Sequence, residues 1–166
     1  LHNMLHGQKI IFVYINDTNN KIVKDFKVRI WEHEKIVQEL LENKVCVMGR
    51  KTHELTSWKG PNSWIFTRNK KYRRLGIGTI HDLDDIHLFS ESKEVYILGG
   101  ISLFRKLKNN VDVLMNFTVT DRKGTQQFPK IDLKNFDVEE YKNNYIWTYA
   151  KLVKKEEKEE YDYLEQ

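Results

Sequence analysis

Residues Val45 to Thr52, reading Val-Cys-Val-Met-Gly-Arg-Lys-Thr, carry an apolar run straight into a glycine, two cations and a hydroxyl. The apolar run has the composition of a buried strand, and Gly49 at its end lets the following backbone N–H groups come close to an anion. Arg50, Lys51 and Thr52 then supply positive charge and a hydroxyl donor where a helix would begin, a set of groups suited to phosphate. An ordinary strand-to-helix junction with surface cations looks the same, and the segment alone does not separate the two. A second junction shifts the balance. Val95-Tyr-Ile-Leu98 runs into Gly99-Gly100, and the spacing of Leu103, Phe104 and Leu107 predicts a helix whose positive dipole end faces the same place. Between the two lies Trp64-Ile-Phe-Thr67-Arg68, a strand that ends in a hydroxyl and a cation. Anion-binding chemistry at several strand ends implies a ligand with several phosphates, gripped at one edge of an α/β sheet.

The elements that must position these groups follow from pattern. Strands are expected over 10–15, 45–48, 63–67, 95–98 and 113–119, with a final strand over 145–153. Helices are expected over 32–42, 51–56, 82–89 and 102–107. Asp17-Thr-Asn-Asn20 is a turn rich in side chains that bond their own backbone, and 21–23 a brief return. Alternation of strand and helix implies a mainly parallel sheet with helices on both faces, because parallel neighbours need crossovers. Pro61 and Pro129 both fall in loops, where a missing N–H does no harm.

With 166 residues, 40% hydrophobic and 12% aromatic, the chain suits one domain with one core. Residues 10–153 are expected to form it, with 1–9 as an N-terminal extension and 154–166 as a charged tail. No apolar run approaches membrane-spanning length, and the first residues are too polar for a secretory signal, so a cytoplasmic protein is expected. Cys46, the single cysteine, sits inside a strand as a small hydrophobe. The histidines His2, His6, His33, His53, His81 and His87 show no metal-ligand spacing, so no metal is expected. The net charge of +4 raises the question of nucleic acid. Within the basic cluster Lys70, Lys71, Arg73 and Arg74, however, only Tyr72 offers a base-stacking ring. A rim that attracts an anionic cofactor fits better than a nucleic-acid surface.

In this order the segments resemble the dihydrofolate reductase family. The likeness rests on Met48-Gly49-Arg50-Lys51-Thr52, Thr67-Arg68, Leu98-Gly99-Gly100, Thr118-Val119-Thr120, and Gly124 ahead of Phe128-Pro129. The resemblance implies an α/β, three-layer fold: a central, mostly parallel twisted sheet, helices on both faces and an antiparallel C-terminal strand. It implies an NADPH-dependent reductase, with dihydrofolate as the first expected substrate and hydride transfer from the nicotinamide as the reaction. Arg50, Lys51 and Thr52 are then expected at the pyrophosphate and the phosphate beside it, and Thr67 and Arg68 at the 2′-phosphate, favouring NADPH over NADH. Gly99, Gly100, Ile101, Ser102 and Leu103 would line the pyrophosphate and nicotinamide side, with Val23, Gly49 and Leu98 also at the cofactor. Val13, Tyr14, Val37, Leu98, Phe104 and Thr118 would meet a pterin-like small-molecule substrate. A monomer or weak homodimer is expected, with neither nucleic acid nor membrane as partner.

On a helix over 32–42, at about 100° per residue, Ile36, Val37, Leu40 and Leu41 form one apolar stripe. His33 projects onto the centre of that stripe and Glu32 and Glu34 near its edges. Counting back from Met48 without a gap puts His33 where the family carries the acid that bonds the pterin. A shift of one residue puts Glu32 or Glu34 there, and the three stay open as the catalytic position. The demand is clear: a hydride goes to one ring carbon while a proton reaches the neighbouring nitrogen, so some group must stabilise a cationic substrate away from water. A carboxylate does that best, and an imidazolium would repel the ring.

Other departures fall on the substrate side. Pro61-Asn62-Ser63 stands where the family places a tail-binding arginine, and Lys59 or Arg29 would replace it only as point charges. Phe104 stands for a family tyrosine and Thr125 for an acid. The loop after Val23 is shorter than the family's, with Trp31 expected to fill space there. Two other readings are therefore kept: a reductase of another pterin or of a riboflavin-pathway pyrimidine, and a non-catalytic relative that binds without turnover.

Overall fold

A computed structural model describes residues 7–23, 37, 39–56, 62–89 and 93–156. The strands are β1 (Lys9–Asn16), β2 (Lys21–Ile22), β3 (Val45–Gly49), β4 (Ser63–Phe66), β5 (Gly78–Ile80), β6 (Glu94–Ile97), β7 (Val111–Val119), β8 (Gln126–Gln127), β9 (Phe136–Asn143) and β10 (Trp147–Lys154). They form one ten-stranded sheet in the order β5-β4-β3-β6-β1-β7-β10-β9, with β2 and β8 paired off beside β1. The six strands from β5 to β7 are parallel to one another. β10 runs antiparallel to both β7 and β9. Several of the strand runs read from the sequence are buried on both sides, such as β1 and β3, where nearly every residue is apolar.

Two helices begin directly at strand ends: α1 (Arg50–Thr56) after β3 and α2 (Ile101–Leu107) after Gly100. Each starts one residue earlier than pattern suggested. Residues 83–89 form a 3₁₀ helix, entered through Asp82, whose carboxylate accepts from the Asp84 N–H at 3.0 Å. Of the helix expected over 32–42, residues 37 and 39–41 are helical and Glu42 already lies in the turn, with the Lys44 N–H donating to Leu41 O at 3.1 Å.

The sequence pattern does not predict β5, β8 and β9. β9 reads Phe-Asp-Val-Glu-Glu-Tyr-Lys-Asn and is exposed beyond its first residue, so it lacks the apolar alternation that marks a half-buried strand. The final strand begins at Trp147, and Tyr145, expected inside it, stands fully exposed in the hairpin at 100%.

Alternation along β1 divides the core. Ile10, Phe12 and Tyr14 pack with Val47, Ile97, Leu103, Phe104 and Leu107 on one face, so α2 covers that side. Ile11 and Val13 pack with Cys46, Met48, Met115, Phe117 and Leu41 on the other, which the helical residues 37 and 39–41 cover. The first face holds an aromatic knot in which Tyr14 stacks on Phe128 at 4.0 Å and Phe104 lies 4.7 Å from Phe12. Such pairs add about 0.5–1.5 kcal/mol each beyond area burial and hold α2 firmly against the sheet.

Candidate functional site

Parallel pairing brings the carboxyl ends of the strands to one edge. Val47 is paired with Ile97, so the chain leaves β3 at Gly49 beside the point where it leaves β6 at Gly99. The Gly49 N–H donates to Gly99 O at 2.7 Å, and the Leu98 N–H to Val47 O at 3.0 Å. The Gly99–Gly100 peptide is cis, and Gly99 has φ +114°, a region that disfavours any side chain. A Cβ on Gly100 would sit 3.3 Å from Thr52 Oγ1, and one on Gly99 3.5 Å from both Thr52 Oγ1 and Phe104. The two glycines thus allow the start of α1 to approach the start of α2 closely. In α2, Gly100 O accepts from the Leu103 and Phe104 N–H groups, both at 3.1 Å. The amides of Ile101 and Ser102, in the first turn, have no carbonyl a turn earlier within the helix.

Gly49 also lies opposite Phe66 of β4, so Thr67 and Arg68 emerge next to Arg50 and Lys51. Lys51 and Arg68 are exposed and form no ion pair with another described residue. Arg50 is held by Glu54 at 3.6 Å and over the Tyr72 ring at 5.5 Å. The single aromatic of the basic loop is therefore engaged within the chain. Arg73 turns back onto the carbonyls of Lys70 and Tyr72 at 2.9 and 2.7 Å, which shapes the loop as a rim. Glycine backbone, exposed cations and a hydroxyl at adjacent strand ends fit a phosphorylated dinucleotide.

The expected substrate residues divide between the two faces of the sheet. Val13, Val37 and Leu98 share the cluster under the helical residues 37 and 39–41, where Val23 is also buried, its N–H donating to Ile15 O at 3.0 Å. Tyr14, 7% exposed, and Phe104, 2% exposed, lie in the aromatic knot on the opposite face. Burial pushes the Tyr14 hydroxyl well above the ordinary tyrosine range, so it stays protonated at neutral pH. Thr118 donates to Asn16 Oδ1 at 2.7 Å, which ties the end of β7 to the end of β1. Glu32, His33 and Glu34 lie outside the described residues, as do Arg29, Trp31, Lys59 and Pro61.

The turn after β1 has a hub that the sequence marked only as a turn. Asp17 Oδ1 accepts from the Asn19 and Lys21 N–H groups at 2.8 and 3.0 Å, and Oδ2 accepts from the Gly124 N–H at 2.8 Å. A Cβ at Gly124 would fall 2.2 Å from Lys21 O, so only glycine admits this approach of the two loops. These bonds, led by the one from Lys21, hold the Asp17 carboxyl below its ordinary range. The sign is that of a depressed acid: its contribution is present above the unfolded carboxyl range and is lost as pH falls through the lower folded value. Asp17→Asn is therefore expected to lower thermal stability at neutral pH and to narrow its gap from the parent chain in acid. Melting curves from neutral pH down to about pH 3 check this, and a gap that stays constant or widens in acid would refute it.

Burial pushes the Cys46 thiol up to about 12, which keeps it protonated and unreactive. Among the described residues no cluster of metal-ligating side chains occurs, and no helix is long and apolar enough to cross a membrane.

A mostly parallel sheet with an antiparallel end and phosphate-suited residues at its strand ends has the form of an α/β cofactor-binding protein. The model of the dihydrofolate reductase family matches residues 9–163. Among solved structures, a dihydrofolate reductase from Enterococcus faecalis, complexed with NADP(H) and RAB-propyl, superposes with a TM-score of 0.76 at 21% identity, over 89% of this chain and 97% of that one. Among curated proteins none matches in sequence. The chain belongs to the dihydrofolate reductase family. The family's chemistry, NADPH-dependent reduction of dihydrofolate, comes with that membership.

Proposed function

We propose that this chain holds NADPH along the carboxyl ends of β3, β4 and β6 and passes hydride to a pterin seated against β1 and the helical residues 37 and 39–41. The observation that carries the reading is the meeting of Gly49 with Gly99, which sets Thr52 against Gly100 and brings Arg50 and Lys51 to the same strand end. Arg50, Lys51 and Thr52 would hold the pyrophosphate and the phosphate beside it, with the open amides of Ile101 and Ser102 at the start of α2. Thr67 and Arg68 would hold the 2′-phosphate. The cofactor supplies the hydride; the chain orients it, excludes water and supports protonation of the substrate. Val13, Val37 and Leu98 offer an apolar wall, and one of Glu32, His33 and Glu34 would stabilise the protonated ring. Tyr14 and Phe104, packed in the aromatic knot, would support the nicotinamide side from beneath. We take residues 10–153 as the working domain, in a cytoplasmic monomer or weak homodimer.

Arg68→Ala tests the assignment. Loss of the cation facing the 2′-phosphate is expected to weaken NADPH binding by about tenfold to a hundredfold, in line with a charged hydrogen bond of about 1.5–3 kcal/mol, and to leave NADH nearly unchanged. Fluorescence titration with both dinucleotides reads the ratio. Equal losses for the two would remove Arg68 from the phosphate.

A further inference from the structure

β9 ends the sheet on the side away from β5, and among the described residues it pairs with β10 alone. It runs for eight residues, Phe136–Asn143, without proline or glycine, and is exposed beyond Phe136. An edge of this length presents a row of backbone N–H and C=O groups ready to pair with another strand. Its register with β10 shifts at Glu139, since Leu152 is opposite Val138 and Lys151 is opposite Glu140. The bulge bends the first half of the strand and leaves 140–143 as a regular run opposite 148–151. The charges on this edge are of two kinds. Asp137 is held by Lys155 at 3.8 Å and Glu139 by Lys151 at 3.2 Å. Glu140 and Lys142 are exposed and form no ion pair with another described residue. They flank Tyr141, which is 62% exposed.

Two copies of one edge can meet only in certain registers. Antiparallel pairing puts directly opposed residues on the same face, and the twofold axis stands perpendicular to the sheet, so it passes through a residue opposed to itself. An axis through Asp137, Glu139, Glu140 or Lys142 sets that charge against its own copy, and one through Val138 sets Asp137 against Glu139. An axis through Tyr141 sets ring against ring, Glu140 against Lys142 on both sides, and Glu139 against Asn143. Of the axes through residues 137–142, this one alone opposes no like charges, and directly opposed like charges disfavour a strand pair.

We infer that β9 is a self-association edge: a second copy of this chain docks on it antiparallel, with Tyr141 on the twofold axis and Glu140 of each copy joined to Lys142 of the other. Of the monomer and the weak homodimer, this edge specifies the homodimer. A short run of strand bonds and two exposed ion pairs make a small interface, so half-association is expected between about 1 µM and 1 mM. β10, β7 and β1 separate β9 from the strands assigned to the dinucleotide, so the pairing stands or falls independently of that assignment.

Sedimentation velocity of the full chain across that concentration range is expected to show a monomer–dimer transition. Lys142→Glu sets carboxylate against carboxylate on both sides of the axis and is expected to weaken association by about tenfold or more, as is Glu140→Lys, which opposes two cations. The double variant, Glu140→Lys with Lys142→Glu, restores opposite charges and is expected to return to within about threefold of the parent, a recovery that misfolding would not produce. Tyr141→Cys places a thiol on the axis, where self-opposed residues lie within disulfide reach, and mild oxidation is expected to give a covalent dimer. The natural Cys46 is buried and does not compete. Tyr145→Cys, fully exposed in the hairpin but off the axis, is expected to stay monomeric under the same oxidation. A parent chain that remains monomeric throughout, a double variant as weak as the single ones, or a Tyr145→Cys chain that bridges as fast as Tyr141→Cys overturns the inference.

Discussion

Gly100→Val is expected to abolish measurable NADPH binding in a chain that still folds. A Cβ at this position would already sit 3.3 Å from Thr52 Oγ1, tighter than ordinary contact, and the two added methyl groups extend beyond it between the starts of α1 and α2. Overpacking of this kind costs about 1–3 kcal/mol even where the neighbours can yield. Here the yielding group is a proposed ligand of the phosphates, and the added bulk occupies the approach to the open amides of Ile101 and Ser102. Together these effects are expected to weaken NADPH by about a hundredfold or more, since each 1.4 kcal/mol is a factor of ten. Circular dichroism and a melting curve separate this outcome from unfolding. A folded Gly100→Val chain with parental affinity would remove Gly100 from the site.

The second large effect concerns the proton. Among Glu32→Gln, His33→Ala and Glu34→Gln, one substitution is expected to lower kcat by about 10²–10⁴ while leaving NADPH affinity within a few-fold. The other two are expected to change kcat little. The deficit of the operative variant should shrink in acid, where solvent protonates the substrate without help from the chain, and that pH dependence distinguishes a group that supports protonation from one that only shapes the pocket. Three variants with unchanged kcat would place the function elsewhere. If Glu32→Gln or Glu34→Gln is the defective one, the helix start is offset by a residue from the ungapped count. If His33→Ala is, a neutral imidazole does the work that the family gives to a carboxylate.

Much of this architecture was legible because the parallel strands are buried on both faces. Ile10 to Ile15 and Val45 to Met48 are unbroken apolar runs that end in turn residues or glycine. The site was legible for a related reason: phosphate chemistry concentrates in short segments at strand ends, and Gly49-Arg50-Lys51-Thr52 and Gly99-Gly100 carry it locally. What escaped notice depends on partners distant in sequence. Asp17 looks like a turn former, and nothing in its neighbourhood discloses that it accepts from Gly124, 107 positions away. The contact of His81 with the Thr67 carbonyl likewise spans a strand pair whose second member, β5, is too short to register as a pattern. β9 was invisible because an edge strand with one exposed face after another needs no apolar alternation. The division of the expected substrate residues between two faces follows from the pleat: Val13 and Tyr14 are adjacent in sequence and must point to opposite sides.

The most direct test is a spectrophotometric assay of NADPH oxidation by the purified chain, with dihydrofolate supplied in one cuvette and a riboflavin-pathway pyrimidine in another. Consumption of NADPH that requires dihydrofolate and matches it mole for mole is the predicted result. Unchanged NADPH absorbance with dihydrofolate, in a folded chain that titration shows to bind the dinucleotide, would contradict it.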